Sequence, residues 1–253
     1  AAPAAAAAPY EGPGVMGGIS FAWTGPEPTS FGESPLLAAQ VASGDLPPVE
    51  DRIPKDFFTM AVVERIGDYG GTWRRAFTGP NDNENQNRIT PDYGYLWDMN
   101  GVDTYPFFFK GGEFSDDGKT FTYYLREGWK WSDGEAADAN DYAFAYNSVT
   151  TNEDINPGKK GALGVTDFAP AFEKVDDLTI RYTFSEATPA FADAVASSSI
   201  GGLYIWGQAG FAPHYPEHYS SQFHIEHGDK SKIEGLISDE AHESWAELFK
   251  ARA

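Results

Sequence analysis

The stretch FSDDGKTFTYYLREGWKWSDGEAADANDYAFAYN, residues 114–147, decides how this chain folds. Residues 117–118, Asp-Gly, are a turn signal placed directly before a β-rich run. Within that run Phe121, Tyr123 and Leu125 alternate with other residues, so they share one face of an extended chain. The pattern predicts a strand with one buried face that follows a tight turn.

Two tryptophans and a helix follow that strand. Trp129 and Trp131 lie two positions apart, so they face the same way in an extended chain, and we expect them to pack as core or as a wall. Residues 132–134, Ser-Asp-Gly, then turn the chain toward a helix for which Asp138 is the expected cap. The apolar stripe of that helix comprises Tyr142, Ala145, Tyr146 and Val149.

Strands and helices are predicted on both sides of this unit. The β-rich or alternating segments are residues 57–65, 70–78 and 178–186. A short helix is expected over residues 34–44, with Ser34 as its cap and Gly44 as its stop, and a closing helix over residues 238–253. Because strands and helices do not alternate strictly, the sequence predicts an α/β chain with a mixed α+β layout.

The composition excludes several classes of function. The chain carries 18 Lys and Arg against 38 Asp and Glu, which gives a formal net charge of −20. Such a surface repels phosphate backbones and anionic lipid headgroups, so binding to nucleic acid or to a membrane surface is not expected. The chain has no cysteine, which excludes disulfides, thiol catalysis and thiolate metal sites. No cofactor is predicted.

Residues 114–147 resemble the signature region of the extracellular solute-binding proteins of family 5, the peptide, nickel and oligopeptide receptors of ABC importers. That family pattern is a Ser-Asp-Asp-Gly-Lys-Thr turn, an aromatic strand that ends Leu-Arg, a Trp-Ser-Asp-Gly turn and an acidic-capped helix. These elements stand here at residues 115–120, 121–126, 131–134 and 137–147. The segment EAADAND departs from the usual Pro-Phe-Thr-Ala-Asp-Asp, and the pattern resumes at the Asp. The resemblance covers roughly residues 34–253.

This resemblance implies a fold and a domain organisation. Family members have two α/β lobes that close over a ligand, with an extra subdomain on the first lobe. Residues 34–253 are therefore expected to form a periplasmic-binding-protein-like first lobe with an inserted subdomain, while the second lobe is missing from the chain. Residues 1–33, rich in Ala, Pro and Gly, are expected to be a flexible tail that tethers a processed secreted domain.

The resemblance also implies a function. It predicts the substrate-binding component of an ABC importer, which sequesters a peptide or similar small solute outside the cytoplasmic membrane and delivers it to the permease subunits. The expected location is periplasmic or otherwise extracytoplasmic, with the signal peptide removed. A second chain or a missing segment is expected to supply the other lobe. The alternative is a truncated receptor-like lobe that serves as a structural subunit of a cell-envelope assembly.

Six residues are candidates for contact with a ligand. In the family the loop after the first strand lines the cleft, and the corresponding residues here are Thr78, Gly79, Pro80 and Asn81. An ordinary turn is the alternative interpretation of that loop. Tyr204 and Trp206 are candidates for an aromatic wall of the cleft, with packing in the core as the alternative.

The sequence offers no strong signal for a metal site or for catalysis. His214, His218, His224 and His227 cluster within fourteen residues, which suggests a divalent metal, but Pro216 interrupts the helix that would align the first two. We therefore predict no metal site. Binding of a divalent metal by the histidine cluster remains the alternative. Nucleophile-elbow, zinc-protease and phosphate-loop motifs are absent from the sequence, so no catalytic residues are expected and the protein is predicted not to be an enzyme.

Overall fold

The computed structural model describes residues 25–62, 66–76, 78–79, 94–97, 104–157, 170–189, 191, 196 and 215–253. Within these ranges helices and strands occur together, in agreement with the predicted mixed layout. No helix in the described ranges is both long enough and apolar enough to cross a bilayer.

A four-stranded antiparallel sheet forms the centre of the described structure. Its strands are β3 (Phe109–Phe114), β4 (Thr120–Leu125), β5 (Ala171–Asp176) and β6 (Thr179–Thr183), in the order β3-β4-β6-β5. A separate two-stranded sheet pairs β1 (Tyr95–Trp97) with β2 (Thr104–Pro106). The hairpins β3-β4 and β5-β6 therefore join along β4 and β6, through pairs such as Tyr123 with Ile180.

The alternation predicted for β4 and β6 is confirmed. Phe121, Tyr123, Ile180 and Tyr182 are almost fully buried, because successive side chains of a strand point to opposite faces and these four share one face. Aromatic rings pack edge-to-face and at tilted angles across this face; the centroids of Phe121 and Tyr123 lie 4.4 Å apart. The buried face supplies most of the main hydrophobic core.

The helices lie outside this sheet. They are α1 (Ala38–Ser43), α2 (Val49–Arg52), α3 (Ala139–Phe144), α4 (Glu217–Ser220), α5 (Lys230–Asp239) and α6 (Trp245–Arg252). Helix α3 continues as a π-helix (Ala145–Thr150), and α4 continues as a 3₁₀ turn (Ser221–Phe223). The predicted stripe of Tyr142, Ala145, Tyr146 and Val149 is buried, as expected. Phe144 and Val149 pack with Ala246 and Phe249 in a second core.

The predicted cap of α3 is confirmed. The Asp138 carboxylate accepts a hydrogen bond from the backbone N–H of Asn140 at 2.7 Å. In return the side chain of Asp141 accepts from the backbone N–H of Asp138 at 3.0 Å, which completes a reciprocal capping box. Two backbone N–H groups at the start of the helix, which have no acceptor within the helix, are thereby hydrogen-bonded.

The two strands predicted over residues 57–65 and 70–78 are not formed in their described parts. Of residues 57–62, only Met60 makes a β-bridge, and residues 70–76 belong to no strand. Gly70 and Gly71 both have positive φ, 103° and 82°, which interrupts an extended run. A β-rich composition is insufficient here because a strand also needs a partner to accept and donate its ladder hydrogen bonds.

The terminal helices also differ from the prediction. Helix α1 begins at Ala38, after Leu37 rather than Ser34, although Gly44 ends it with φ 81° as expected. The closing helix predicted over residues 238–253 is divided between the end of α5 and α6. Ala241 breaks it with φ 58°, and Ser244 restarts it by accepting from the backbone N–H of Glu247 at 3.2 Å.

The N-terminal segment is attached to the rest of the described chain from residue 27 onward. Glu33 forms an ion pair with Arg52 at 2.6 Å, and the rings of Phe31 and Phe57 meet edge-to-face at 5.4 Å. Residues 1–24 lie outside the described residues, so the tail predicted over residues 1–33, and with it the domain boundary at residue 34, stays a prediction.

Candidate functional site

The Trp-Ser-Asp-Gly turn is closed by main-chain hydrogen bonds. The N–H of Trp131 donates to the carbonyl of Glu135 at 2.8 Å, and the N–H of Gly134 donates to the carbonyl of Trp131 at 3.0 Å. Gly134 has φ 97°, a conformation that strongly favours glycine. The Asp133 carboxylate accepts from the N–H of Glu135 at 3.1 Å and lies 2.8 Å from Nε2 of His218. The turn thus links the signature region to the chain that follows residue 215.

The carboxylate of Asp141 connects three parts of the chain. It is almost fully buried, and its Oδ2 accepts from the backbone N–H of Asp138 and, at 3.1 Å, from the indole Nε1 of Trp131. Its Oδ1 accepts from the backbone N–H of Glu217 at 2.8 Å. Because buried polar groups are costly unless they are paired, this carboxylate fixes the turn, the start of α3 and the start of α4 together.

The two tryptophans have structural partners, as the sequence suggests. The indole Nε1 of Trp129 donates to the backbone carbonyl of Asp56 at 3.1 Å, and its ring packs against Phe108 with centroids 4.3 Å apart. Trp131 donates to Asp141. Each half-buried indole therefore combines apolar packing with one satisfied N–H, which is the usual arrangement for a tryptophan in a scaffold.

The structure describes two of the six predicted ligand residues. Thr78 is exposed and Gly79 is half-buried. Among the described residues, no atom lies within 4 Å of a Cβ added at Gly79. Pro80, Asn81, Tyr204 and Trp206 lie outside the described residues. The assignment of all six to a ligand stays a prediction.

Sequence reasoning missed an exposed aromatic segment just before Thr78. Trp73 and Tyr69 are 74% and 67% exposed, although both are large and largely apolar. The guanidinium carbon of Arg75 lies 4.8 Å from the centroid of the Trp73 ring, within cation–π range. The signal in the sequence was a tryptophan that follows Gly-Gly closely and stands next to two arginines. The prediction of a strand over residues 70–78 did not take it into account.

The histidine cluster does not fit a metal. The ligand-type atoms of His224, Glu226 and His227 lie within 4.8 Å of one another. However, Nε2 of His224 is 2.8 Å from the carbonyl oxygen of Ser148, and its Nδ1 accepts from the N–H of Glu226 at 3.3 Å. With both nitrogens engaged on a fully buried ring, His224 has no lone pair to offer a cation. His214 lies outside the described residues.

Comparison with known proteins identifies the family. Residues 103–226 match the family model described as bacterial extracellular solute-binding proteins, family 5 Middle. This region matches the family 5 extracellular solute-binding proteins, as the signature residues predicted. Its mixed α/β structure matches part of the periplasmic-binding-protein fold of the oligopeptide-binding protein OppA, with a TM-score of 0.74. That match has 33% sequence identity and covers 89% of this chain and 33% of OppA.

Two sugar-binding proteins are also similar. The periplasmic alpha-galactoside-binding protein of Rhizobium meliloti strain 1021 is 27% identical over 169 residues, which covers 59% of this chain and 24% of that protein. The periplasmic binding protein MelB of Agrobacterium fabrum C58, solved in complex with stachyose, has a TM-score of 0.54 and 22% identity. It covers 82% of this chain and 33% of MelB, and the likeness concerns the fold alone. The chain thus spans a third or less of each of these relatives.

Proposed function

We propose that this chain is part of the substrate-binding component of an ABC importer, which binds a small solute outside the cytoplasmic membrane and delivers it to the permease. The observation that carries the proposal is the signature region. Its turn and its capped helix are joined through the buried carboxylate of Asp141, within the segment that matches family 5. OppA and the Rhizobium meliloti protein are both binding proteins, which supports the same role.

We further propose that the protein binds and does not transform its ligand. The described polar clusters support this: the Asp141 carboxylate is occupied by three donors, and His224 has both nitrogens engaged. Groups that are already satisfied by structural hydrogen bonds are poorly placed for proton or group transfer. Binding without turnover is therefore the expected behaviour.

Two ligand classes are compatible with this role, and we favour a peptide. The favoured class rests on the 33% identity to OppA, an oligopeptide-binding protein. The competing class is an α-galactoside, which rests on the Rhizobium meliloti protein at 27% identity. The exposed ring of Trp73 with Arg75 beside it suits either, because an aromatic face packs on apolar side chains and on sugar rings alike.

Native mass spectrometry and calorimetry test these proposals on the protein at its natural length. Purified protein is screened for co-purified small molecules, then titrated with a mixture of tri- to pentapeptides and, separately, with stachyose. Saturable peptide binding supports our proposal, whereas saturation by stachyose alone would replace the peptide with a sugar. Failure of both, with no co-purified molecule, would favour the alternative of a structural subunit in an envelope assembly.

A variant pair tests the position of the ligand. Trp73→Ala is expected to weaken binding about tenfold or more, which corresponds to about 1.4 kcal/mol. Tyr219→Ala is the control, because Tyr219 is also an exposed aromatic but belongs to α4, in another part of the sequence. Equal affinities of the two variants and of the unaltered protein would remove Trp73 from the proposed site.

A further inference from the structure

Three histidines lie on one interface between two parts of the chain. The segment of residues 215–253 packs on the signature region, and three of its contacts are histidine hydrogen bonds. His218 bonds to Asp133, His224 to the backbone of Ser148, and His227 to the Ser148 hydroxyl, each at 2.8 Å. Imidazole is the side chain whose charge changes most readily between pH 5 and 8. The docking of this segment therefore depends on imidazole hydrogen bonds, which a change in the charge of the ring would alter.

The partners of His224 fix its protonation state. Nε2 faces the carbonyl oxygen of Ser148, which can only accept, so Nε2 carries a proton. Nδ1 faces the backbone N–H of Glu226 at 3.3 Å, which can only donate, so Nδ1 carries a lone pair. The neutral Nε2–H tautomer satisfies both contacts, whereas the imidazolium, with two N–H groups, satisfies only one.

The surroundings of His224 offer little compensation for a positive charge. The ring is fully buried, and its neighbours are aromatic: Phe144 from α3, and Trp245 and Phe249 from α6. The titratable groups that act on it are His227, whose ring centroid is 4.8 Å away, and Glu226, which is exposed. The carboxylate of Asp154 accepts from the indole N–H of Trp245 at 3.2 Å.

We propose that His224 makes the docking of residues 215–253 onto residues 139–150 sensitive to acid, because its protonation breaks the contact with Glu226 and leaves a buried charge in an aromatic pocket. At neutral pH the ring holds the two segments together through Ser148. On acidification the segment of residues 215–253 loosens from α3 and its π-helical continuation, while the four-stranded sheet keeps its own core.

The direction of the effect follows from linkage. Burial lowers the pKa of His224 below its ordinary value of 6.5, and the hydrogen bond to Ser148 opposes this only in part. A lowered pKa in the folded state means that the stabilising contribution is complete above pH 6.5 and is lost as the pH falls toward the folded pKa.

Histidine variants in thermal unfolding between pH 7.5 and pH 5.0 test the proposal. His224→Gln keeps a donor for Ser148 without a titrating group, so its unfolding midpoint is expected to fall less on acidification than that of the unaltered protein. His218→Gln, the matched control, leaves both contacts of His224 in place, so it is expected to retain the acid sensitivity of the unaltered protein. Identical pH dependence of the unaltered protein and His224→Gln would overturn the proposal.

Nitrogen-15 NMR of the histidine rings tests the same point without a variant. The expected result is an Nε2–H tautomer for His224 at pH 7.5 and a titration midpoint below 6.5. Each unit by which the pKa of His224 in the docked state lies below its ordinary value lowers the equilibrium constant for docking tenfold, once the pH is below both pKa values. An Nδ1–H tautomer, or a midpoint at or above 6.5, would overturn the proposal. Neither readout depends on the ligand, so failure here leaves the proposed binding function untouched.

Discussion

At the scale of single residues, Asp141 links three parts of the described chain. One buried carboxylate accepts from the backbone of Asp138, from the indole of Trp131 and from the backbone of Glu217. The first two partners are close in sequence, but Glu217 is 76 positions away. The residue is therefore both a helix-capping group and the anchor of a distant segment, and only the first role is visible in a capping pattern.

Replacement of Asp141 by Asn tests that anchor. One acceptor oxygen becomes an NH₂ group that faces donors, so at least one buried donor loses its partner. We expect the free energy of unfolding to fall by about 2–4 kcal/mol, measured by urea denaturation. Asp116→Asn in the exposed turn before β4 is the control, with an expected change within about 0.5 kcal/mol. A stability of Asp141→Asn equal to that of the control would remove Asp141 from this role.

At the scale of elements, periodicity located the strands that have a buried face and failed for the others. Strands β4 and β6 and helix α3 follow their predicted patterns because a packed face preserves the alternation or stripe in the sequence. Residues 57–62 and 70–76 have strand composition but no ladder. Strand β3 was also not predicted, since its centre is Gly111-Gly112, which has no side chain to show a pattern.

The two glycines of β3 make a matched pair of substitutions. A Cβ on Gly112 would lie 2.5 Å from the buried ring of Phe121 and 2.8 Å from the hydroxyl of Tyr95, whereas one on Gly111 meets nothing within 4 Å. We expect Gly112→Ala to destabilise the protein by about 1–3 kcal/mol through overpacking, and Gly111→Ala to cost less than about 0.5 kcal/mol. Comparable denaturation midpoints for the two variants would show that Gly112 does not pack closely against Phe121.

At the scale of the whole molecule, charged side chains attach the N-terminal connector to the sheet. Nη1 of Arg126, at the end of β4, donates to the Asp56 carboxylate at 2.8 Å, and its Nε donates to the carbonyl of Phe107 at 2.8 Å. The Arg126 side chain is only 11% exposed. The neighbouring pair of Lys55 and Glu127, at 2.7 Å, is exposed on both sides. The two ion pairs look alike in sequence, but the Arg126 pair is largely buried and directs two N–H donors to separate acceptors, whereas the Lys55 pair is exposed.

Arg126→Lys is expected to loosen the connector. A lysine cannot reproduce two directed N–H donors, so we expect a loss of about 1–2 kcal/mol and faster hydrogen exchange in residues 53–58. Lys55→Met, which removes the exposed pair, is expected to change stability by less than about 1 kcal/mol and to leave that exchange unaltered. Faster exchange in the lysine-55 variant but not in the arginine-126 variant would reverse this assignment.

The sequence by itself determined the family, the mixed fold class and the elements whose periodicity reflects a buried face, because side-chain alternation, turn residues and caps are local properties. It identified the histidine cluster and the aromatic residues of the signature region, but not what they contact. The tertiary structure decided that β4 lies beside β6, that Asp141 holds Glu217, and that His224 bonds to Ser148. These are contacts between residues some 60 to 80 positions apart, and a local pattern cannot specify which of many chemically equivalent partners the folded chain brings within hydrogen-bond distance.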